Sequence, residues 1–355
     1  MGSPAFDATA LARSIKDWGQ TLGFQAVGIA DTDLAEAERR LRDWLSAGLH
    51  GEMGYMARHG TRRSRPGELV PGTVRVISAR MDYLPPDDEP RRQLTDPAAA
   101  FVSRYALGRD YHKLLRNRLQ RLADRIATVT GHFGYRVFVD SAPVLEKPLA
   151  AKAGLGWIGK HTNLIAREVG SWFFLREIYT DLPLPVDAPV GDHCGTCTAC
   201  MEICPTRAIV APYRLDARLC ISYLTIELDG PIPLALRALM GNRIYGCDDC
   251  QLVCPWNRFA RPSGETDFLP RHGLDSATLC SLFAWDEPEF LRRTEGSAIR
   301  RIGHARWLRN LAVALGNSPG GPDVERALRG RADHPSPVVR EHVSWALARI
   351  TRCEP

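Results

Sequence analysis

The sequence predicts an α+β chain in three parts: an N-terminal α/β region over 1–185, a cysteine-rich module over 186–262 and an all-helical tail over 263–355. Three observations lead there. Apolar residues in the first part alternate between helical and strand periods. Eight of the ten cysteines crowd between positions 194 and 254. Past Gly273 the apolar stripes have only the helical period.

The elements follow in order. Leu11, Ile15, Trp18 and Leu22 keep helical spacing, and Phe24–Ala30 reads as a strand. Leu34–Ala47 predicts a second amphipathic helix and Val74–Met81 a strand, with the Pro/Asp-rich stretch Leu84–Pro97 as a loop. Asp110–Thr130 predicts a long helix ending at Gly131, Tyr135–Val139 a strand stopping at Asp140, and Leu145–Ala153 a helix capped by Gly154. Strands are expected at Asn163–Ala166 and Ser171–Tyr179, before a Pro-rich linker at Asp181–Pro189. In the tail, Trp307, Leu308, Leu311, Ala312 and Leu315 make one stripe. Val339, Val343, Ala346, Leu347 and Ile350 make another about 31 residues on, as in HEAT-type repeats or a plain helical hairpin.

The composition, 45% hydrophobic and 25% charged, is that of a globular protein with room for two or three domains. The N-terminus has no basic region followed by an apolar one, and no apolar run approaches the roughly 18 residues of a membrane helix. A soluble, cytoplasmic protein without membrane contact is expected. Ten cysteines in 355 residues are too sparse for a disulfide scaffold, so their clustering points to metal. Residues 291–355 hold 12 Arg against six Asp or Glu, a net +6, while the rest is near neutral. That suits a polyanionic partner, although Arg dominates the whole chain. Arg300 and Arg301 are candidate phosphate contacts, with Arg58, Arg62 and Arg65 as the alternative.

The run Cys194-x2-Cys197-x2-Cys200-x3-Cys204-Pro205 has the ferredoxin-like spacing of a 4Fe–4S site, in which the fourth Cys ligates the other cluster. Cys247-x2-Cys250-x3-Cys254-Pro255 is a second run, one ligand short, and Cys220 is its natural completion. Crossed ligation gives Cys194, Cys197, Cys200 and Cys254 to one cluster, and Cys204, Cys220, Cys247 and Cys250 to the other. Paired zinc sites would not need the third spaced Cys plus Pro, occurring twice. Cys280 and Cys353 stand alone as packing or surface residues. A bare electron carrier would be no larger than this module, so the preceding 190 or so residues imply a substrate to reduce.

Two further signals are weaker. Gly154-Leu-Gly156-Trp-Ile-Gly159 matches G-x-G-x-x-G but has a helix before it and a strand after, the reverse of a dinucleotide site. Asp140, at the end of a strand, is either a desolvated carboxyl kept protonated as a general acid or the N-cap of the next helix.

Tyr135-Arg-Val-Phe-Val-Asp-Ser-Ala-Pro-Val-Leu-Glu-Lys147 and Ala153-Gly-Leu-Gly-Trp-Ile-Gly-Lys160 together resemble the epoxyqueuosine reductase family. So do Cys220-Ile-Ser-Tyr-Leu-Thr and Gly241-Asn-Arg-Ile-Tyr-Gly-Cys-Asp-Asp-Cys250. The resemblance implies a cobalamin-dependent oxidoreductase that reduces epoxyqueuosine to queuosine at the tRNA wobble position. It implies a cobalamin-binding α/β domain, a ferredoxin-like domain with two 4Fe–4S clusters, and a HEAT-like tail that holds tRNA. Asp140 matches the family's proton donor, and Arg63, Ser103, Leu164, Leu175 and Ser222 match cobalamin-contacting positions. Some relatives carry Cys where this chain has Ser103, so a direct thiolate role there is not available. The chain lacks the Asp-x-His-x-x-Gly motif that gives a histidine to cobalt elsewhere, which suits a base-off cobalamin. A reduced carrier such as flavodoxin or ferredoxin is the expected electron donor. Rival readings are a reductive dehalogenase, a non-catalytic electron-transfer protein and a tRNA-binding module with structural zinc.

Overall fold

A computed structural model describes residues 6–86, 90–140 and 142–351. The N-terminal region runs α1 (Ala8–Thr21), β1 (Ala26–Ala30), α2 (Ala35–Ser46), β2 (Arg75–Asp82), β3 (Phe101–Val102), α3 (Tyr111–Thr130), β4 (Tyr135–Phe138), α4 (Glu146–Lys152), β5 (Trp157–Ile158), β6 (Leu164–Ile165) and β7 (Phe173–Thr180). The expected loop at Leu84–Pro97 contains a short helix, Pro90–Thr95, because a proline is tolerated at a helix start. Residues 87–89 of that stretch lie outside the described residues.

The main sheet has the order β1-β2-β7-β4, and every neighbouring pair is antiparallel. The region is therefore α+β in its own architecture rather than a parallel α/β sheet. Strands β2 and β7 lie at the centre, so both their faces are covered and an alternating pattern gives way to almost continuous burial. On one face Ile77, Ala79, Phe174 and Ile178 pack against Leu11 and Ile15 of α1 and Leu115, Leu119 and Leu122 of α3. The i, i+4, i+7 spacing of those leucines puts them on one stripe of α3, and each buried side chain contributes about 1.5–3 kcal/mol. On the other face Val76, Leu175 and Tyr179 meet α4 and the β5–β6 hairpin.

The Pro-rich stretch after β7 is strapped to this body. Leu184 is fully buried, and the Asp187 carboxylate accepts from the Ile29 backbone at 2.8 Å. The cysteine module contains a small ribbon of β8 (Ile209–Ala211) and β9 (Arg214–Leu215), then β10 (Arg243–Tyr245). The tail's longer helices are α5 (Gly303–Gly316), α6 (Pro322–Arg329) and α7 (Pro337–Ile350). A Cβ on Gly316 would stand 2.9 Å from the Ala346 backbone, so glycine is what lets the end of α5 approach α7.

The three sequence regions do not have three separate cores. Strand β10 pairs in parallel with β3, and the largest apolar cluster joins Val102 and Leu107 to Ile244 and Tyr245 and to Trp307, Leu311 and Val343. Arg309 of α5 is fully buried, its guanidinium donating to the carbonyls of Leu224, Leu228 and Gly230 at 2.7–2.8 Å. A buried cation needs such partners, so α5 and the loop after Cys220 are fixed to one another.

Candidate active site and cluster-binding cysteines

The fold sorts the eight clustered cysteines into two groups. Cys194, Cys197, Cys200 and Cys254 line a small cavity of about 60 Å³ near the surface. Cys204, Cys220, Cys247 and Cys250 line one side of a cavity of about 530 Å³ between the sheet, the module and the tail. The last cysteine of each run therefore sits with the other run's group. All nine described cysteines are free; Cys280 packs against the tail's core, and Cys353 lies outside the described residues.

Local chemistry shapes both groups. Lys160 donates to the carbonyls of Gly195 and Cys197 at 2.7 and 2.9 Å, drawing the first loop closed. Trp157 meets His193 and Trp256 edge-on, with ring centroids 5.0 and 5.1 Å away, forming an aromatic box beside Cys254. On the cavity side the Ala208 backbone donates to the Cys204 sulfur at 3.2 Å, a contact that steadies thiolate charge. Gly246 has φ +71°, and a Cβ there would stand 2.5 Å from that of Ser103, so only glycine lets β10 and the Cys247 loop lie this close to β3.

The larger cavity also gathers the remaining candidates. Ser103, Asp140, Leu164, Leu175 and Ser222 all line it, whereas Arg63 does not. Arg63 is buried, and its guanidinium donates to the carbonyls of Tyr55 and Met56 at 2.8 and 3.2 Å. Ser103 donates to Asp248, between Cys247 and Cys250, at 2.6 Å.

Asp140 is not a helix cap, because α4 begins at Glu146 with Leu145 before it. Nor is it held protonated as burial alone would have it. Burial does oppose its charge, but the bond with the His112 imidazole, the Arg176 guanidinium and the Tyr111 hydroxyl outweigh it and hold Asp140 at about 2. His112 answers in kind. Burial disfavours its charged ring, yet bonds to Asp110 and Asp140 raise it to about 9. In the resting site the proton thus sits on the imidazole.

Several residues in or beside the cavity carried no signal in the sequence. Tyr111 and His112 follow the helix N-cap Asp110, a position that reads as capping until β4 brings Asp140 alongside. Arg176 lies in a strand that reads as core. Lys147 donates to Thr162 and Asn163 at 3.1 and 3.3 Å, and its charge acts on Cys250 and Cys220. Arg301 keeps 53% of its side chain exposed beside the cavity. It lines the cavity and pairs with Glu227 at 2.7 Å, while Arg300 is exposed and donates to the Leu291 carbonyl.

The cavity fits a large ligand rich in amides. The His161 Nε2 and the Arg176 Nε and Nη2 atoms are buried without partners, and both side chains line it. Such atoms cost about 1–3 kcal/mol each unless a ligand or water meets them. Leu164, Phe173, Phe174 and Leu175 supply the apolar surface a macrocycle would cover.

Residues 63–141 match the family model described as epoxyqueuosine reductase QueG, DUF1730, and residues 193–257 match the 4Fe-4S double cluster binding domain. The epoxyqueuosine reductase of Pseudomonas aeruginosa is 64% identical over 97% of this chain and 95% of its own length. That of Escherichia coli is 60% identical over 98% of this chain and 91% of its own. A crystal structure of an epoxyqueuosine reductase with an epoxyqueuosine-modified tRNA stem loop superposes with TM-score 0.88 at 27% identity, covering 97% of this chain and 91% of that one. A chain this similar over nearly its full length, with both cysteine groups in place, belongs to the epoxyqueuosine reductase family.

Proposed function

We propose that the protein reduces epoxyqueuosine to queuosine at the wobble position of tRNA, with cobalamin in the larger cavity and electrons passing through two 4Fe–4S clusters. One observation carries the reading: a single cavity is lined by four thiols and by Asp140, which pairs with the His112 imidazole. Cys194, Cys197, Cys200 and Cys254 would hold the outer cluster, and Cys204, Cys220, Cys247 and Cys250 the inner one. Cobalamin would rest on Leu164, Leu175, Ser103 and Ser222, with its amides meeting Arg176 and His161. Bound there, it supplies a metal that accepts electrons singly and delivers two to the epoxide. Arg63 would act on the cofactor through the Tyr55–Met56 segment, whose carbonyls its guanidinium holds.

The chain's own residues do the rest. Phe173, Phe174 and Tyr105 exclude water from the cavity. Asp140 donates the proton that the opening ring oxygen needs. Arg301 and Glu227 offer donors and an acceptor to a nucleobase edge. A HEAT-like reading of α5–α7, and tRNA binding by that tail, rest on the packing of α5 on α7 and on the net charge of residues 291–355. No helix among the described residues is long and apolar enough to cross a membrane, in keeping with work on tRNA in the cytoplasm. A small reduced carrier, flavodoxin or ferredoxin, would dock beside the outer group, where Cys197 is exposed.

The test is mass spectrometry of tRNA nucleosides after incubation with reduced, cobalamin-loaded protein. Epoxyqueuosine should lose one oxygen and become queuosine; recovery of unchanged epoxyqueuosine overturns the reading. Metal analysis separates the structural-zinc rival, which requires zinc in place of about eight irons per chain.

A further inference from the structure

Reducing an epoxide to an alkene consumes two electrons and two protons and releases one water. Both protons end on the same oxygen. The first arrives as one carbon–oxygen bond opens to give a hydroxyl, the second as the other bond breaks and water leaves. A single carboxyl carries one proton, so the donor must be refilled within each turnover. The electrons come through the clusters and the bound cofactor; the protons must come from solvent through the protein.

The structure holds a chain of groups suited to this. The His112 Nε2 pairs with the Asp140 Oδ1, and the His112 Nδ1 lies 2.5 Å from the Asp110 Oδ1. On the other oxygen, the Tyr111 hydroxyl donates to the Asp140 Oδ2. Side-chain exposure is 38% at Asp110 and 29% at both His112 and Asp140, so solvent reaches the imidazole, and Asp140 lines the cavity. We propose that His112, its ring held at Nδ1 by Asp110, relays protons from solvent to Asp140 during epoxide reduction, as the positioning residue that hands each proton on at Nε2.

This rests on the reading of Asp140 as the group that protonates the substrate. A purely structural role for the imidazole is poorly supported. Asp110 already caps α3 by accepting from the His112 backbone at 3.0 Å, which does not need the ring. A helix N-terminus also disfavours a cation, so a charged ring placed there for stability alone works against the helix dipole. It stays charged because two carboxylates, one from the cap and one from the end of β4, flank it. The other groups facing this site are Arg176 from β7, which favours the Asp140 carboxylate, Glu177 from β7, Glu146 from α4, Tyr111 from α3 and Tyr55. In the relay, Asp140 takes a proton from the His112 Nε2 and passes it to the ring oxygen. The neutral ring keeps its Nδ1 proton on Asp110, regains one from solvent at Nε2, and repeats the transfer.

Two measurements decide the matter. The first is the single-turnover rate on an epoxyqueuosine stem loop, with reduced holoenzyme, from pH 6 to 9.5. The parent should be flat until it falls near pH 9. His112→Gln should fall about tenfold per pH unit across the range, because Asp140 alone must then be protonated far above the ordinary carboxylate range. Asp110→Asn should move the parent's break to lower pH. A His112→Gln rate lowered by one constant factor at every pH, or not lowered, overturns the relay. The second measurement is an NMR titration of ¹⁵N-labelled histidine in protein without substrate or cobalamin, where electron delivery cannot mask the result. The His112 ring should titrate near 9, and a value near the ordinary 6.5 overturns the proposal. Asp140→Asn keeps the two levels apart. If that variant stays active, the parent reading fails; if it is inactive while His112→Gln keeps the parent's profile, only the relay fails.

Discussion

The two groups of four thiols belong to one small module, yet they meet different surroundings. The outer group sits beside indole and imidazole rings around a space of about 60 Å³, and its Cys197 is exposed. The inner group forms one side of a cavity roughly nine times larger, with Lys147 near its thiols and Asp248 held by Ser103. The same ligand chemistry thus serves two tasks. One group is reachable from solvent, where a carrier can deliver electrons. The other is walled by the α+β body and faces the reacting site. Under the proposed function this placement would carry electrons inward, and Cys204 and Cys254 each sit with the other run's group.

The largest expected effect comes from breaking one side only. Cys250→Ala should abolish turnover and lower iron from about eight to about four per chain, leaving the outer cluster's spectrum. Cys197→Ala should give the opposite remainder. If either change removes all the iron, the groups are not independent. Next comes Asp140→Asn, which should keep full iron content but lower turnover by about 10²–10⁴, read by the nucleoside assay. A smaller effect separates two neighbouring arginines. Arg301→Ala removes a cavity donor and should raise KM for the stem loop about tenfold with iron unchanged. Arg300→Ala should lower the salt dependence of tRNA binding by about one unit of slope. Equal effects of the two would erase the distinction between cavity and surface.

The smallest effect concerns stability. The folded state raises His112 above its unfolded value, so the stabilisation is full below about 6.5 and is lost as pH climbs through about 9. Asp140 is shifted the other way, and its share is present above about 4 and lost as pH falls through about 2. The melting temperature of the unloaded protein should therefore drop between pH 6.5 and 9, and His112→Gln should flatten that slope.

Much of this was legible in the residues. Cysteine spacing gave both groups and their crossing, because ligand geometry is local and nearly rigid. Helices α1, α2 and α3 appear within a residue or two of their apolar stripes. What stayed hidden depends on pairing between distant segments. The period-2 pattern of β2 and β7 carries no strand direction, so an antiparallel sheet could not be told from a parallel one. His112 looked like the first turn of a helix, and only the end of β4 turns it into a partner of Asp140. The expected charge of the tail was partly spent inside: Arg309 is buried among carbonyls, while Arg301 stays exposed where it lines the cavity. Counting arginines could not distinguish these from surface groups.

The parallel pairing of β3 with β10 also sets a timetable for synthesis. The two strands lie about 140 residues apart, and a ribosome adding roughly 5–20 residues per second needs about 7–28 s to produce the second after the first. Throughout that interval β3 is an unpaired edge, and the wall that will carry Cys247 and Cys250 does not exist. Iron delivered earlier would meet only Cys194 to Cys220, a set with no complete crossed site. Metal insertion must therefore wait for the late segment.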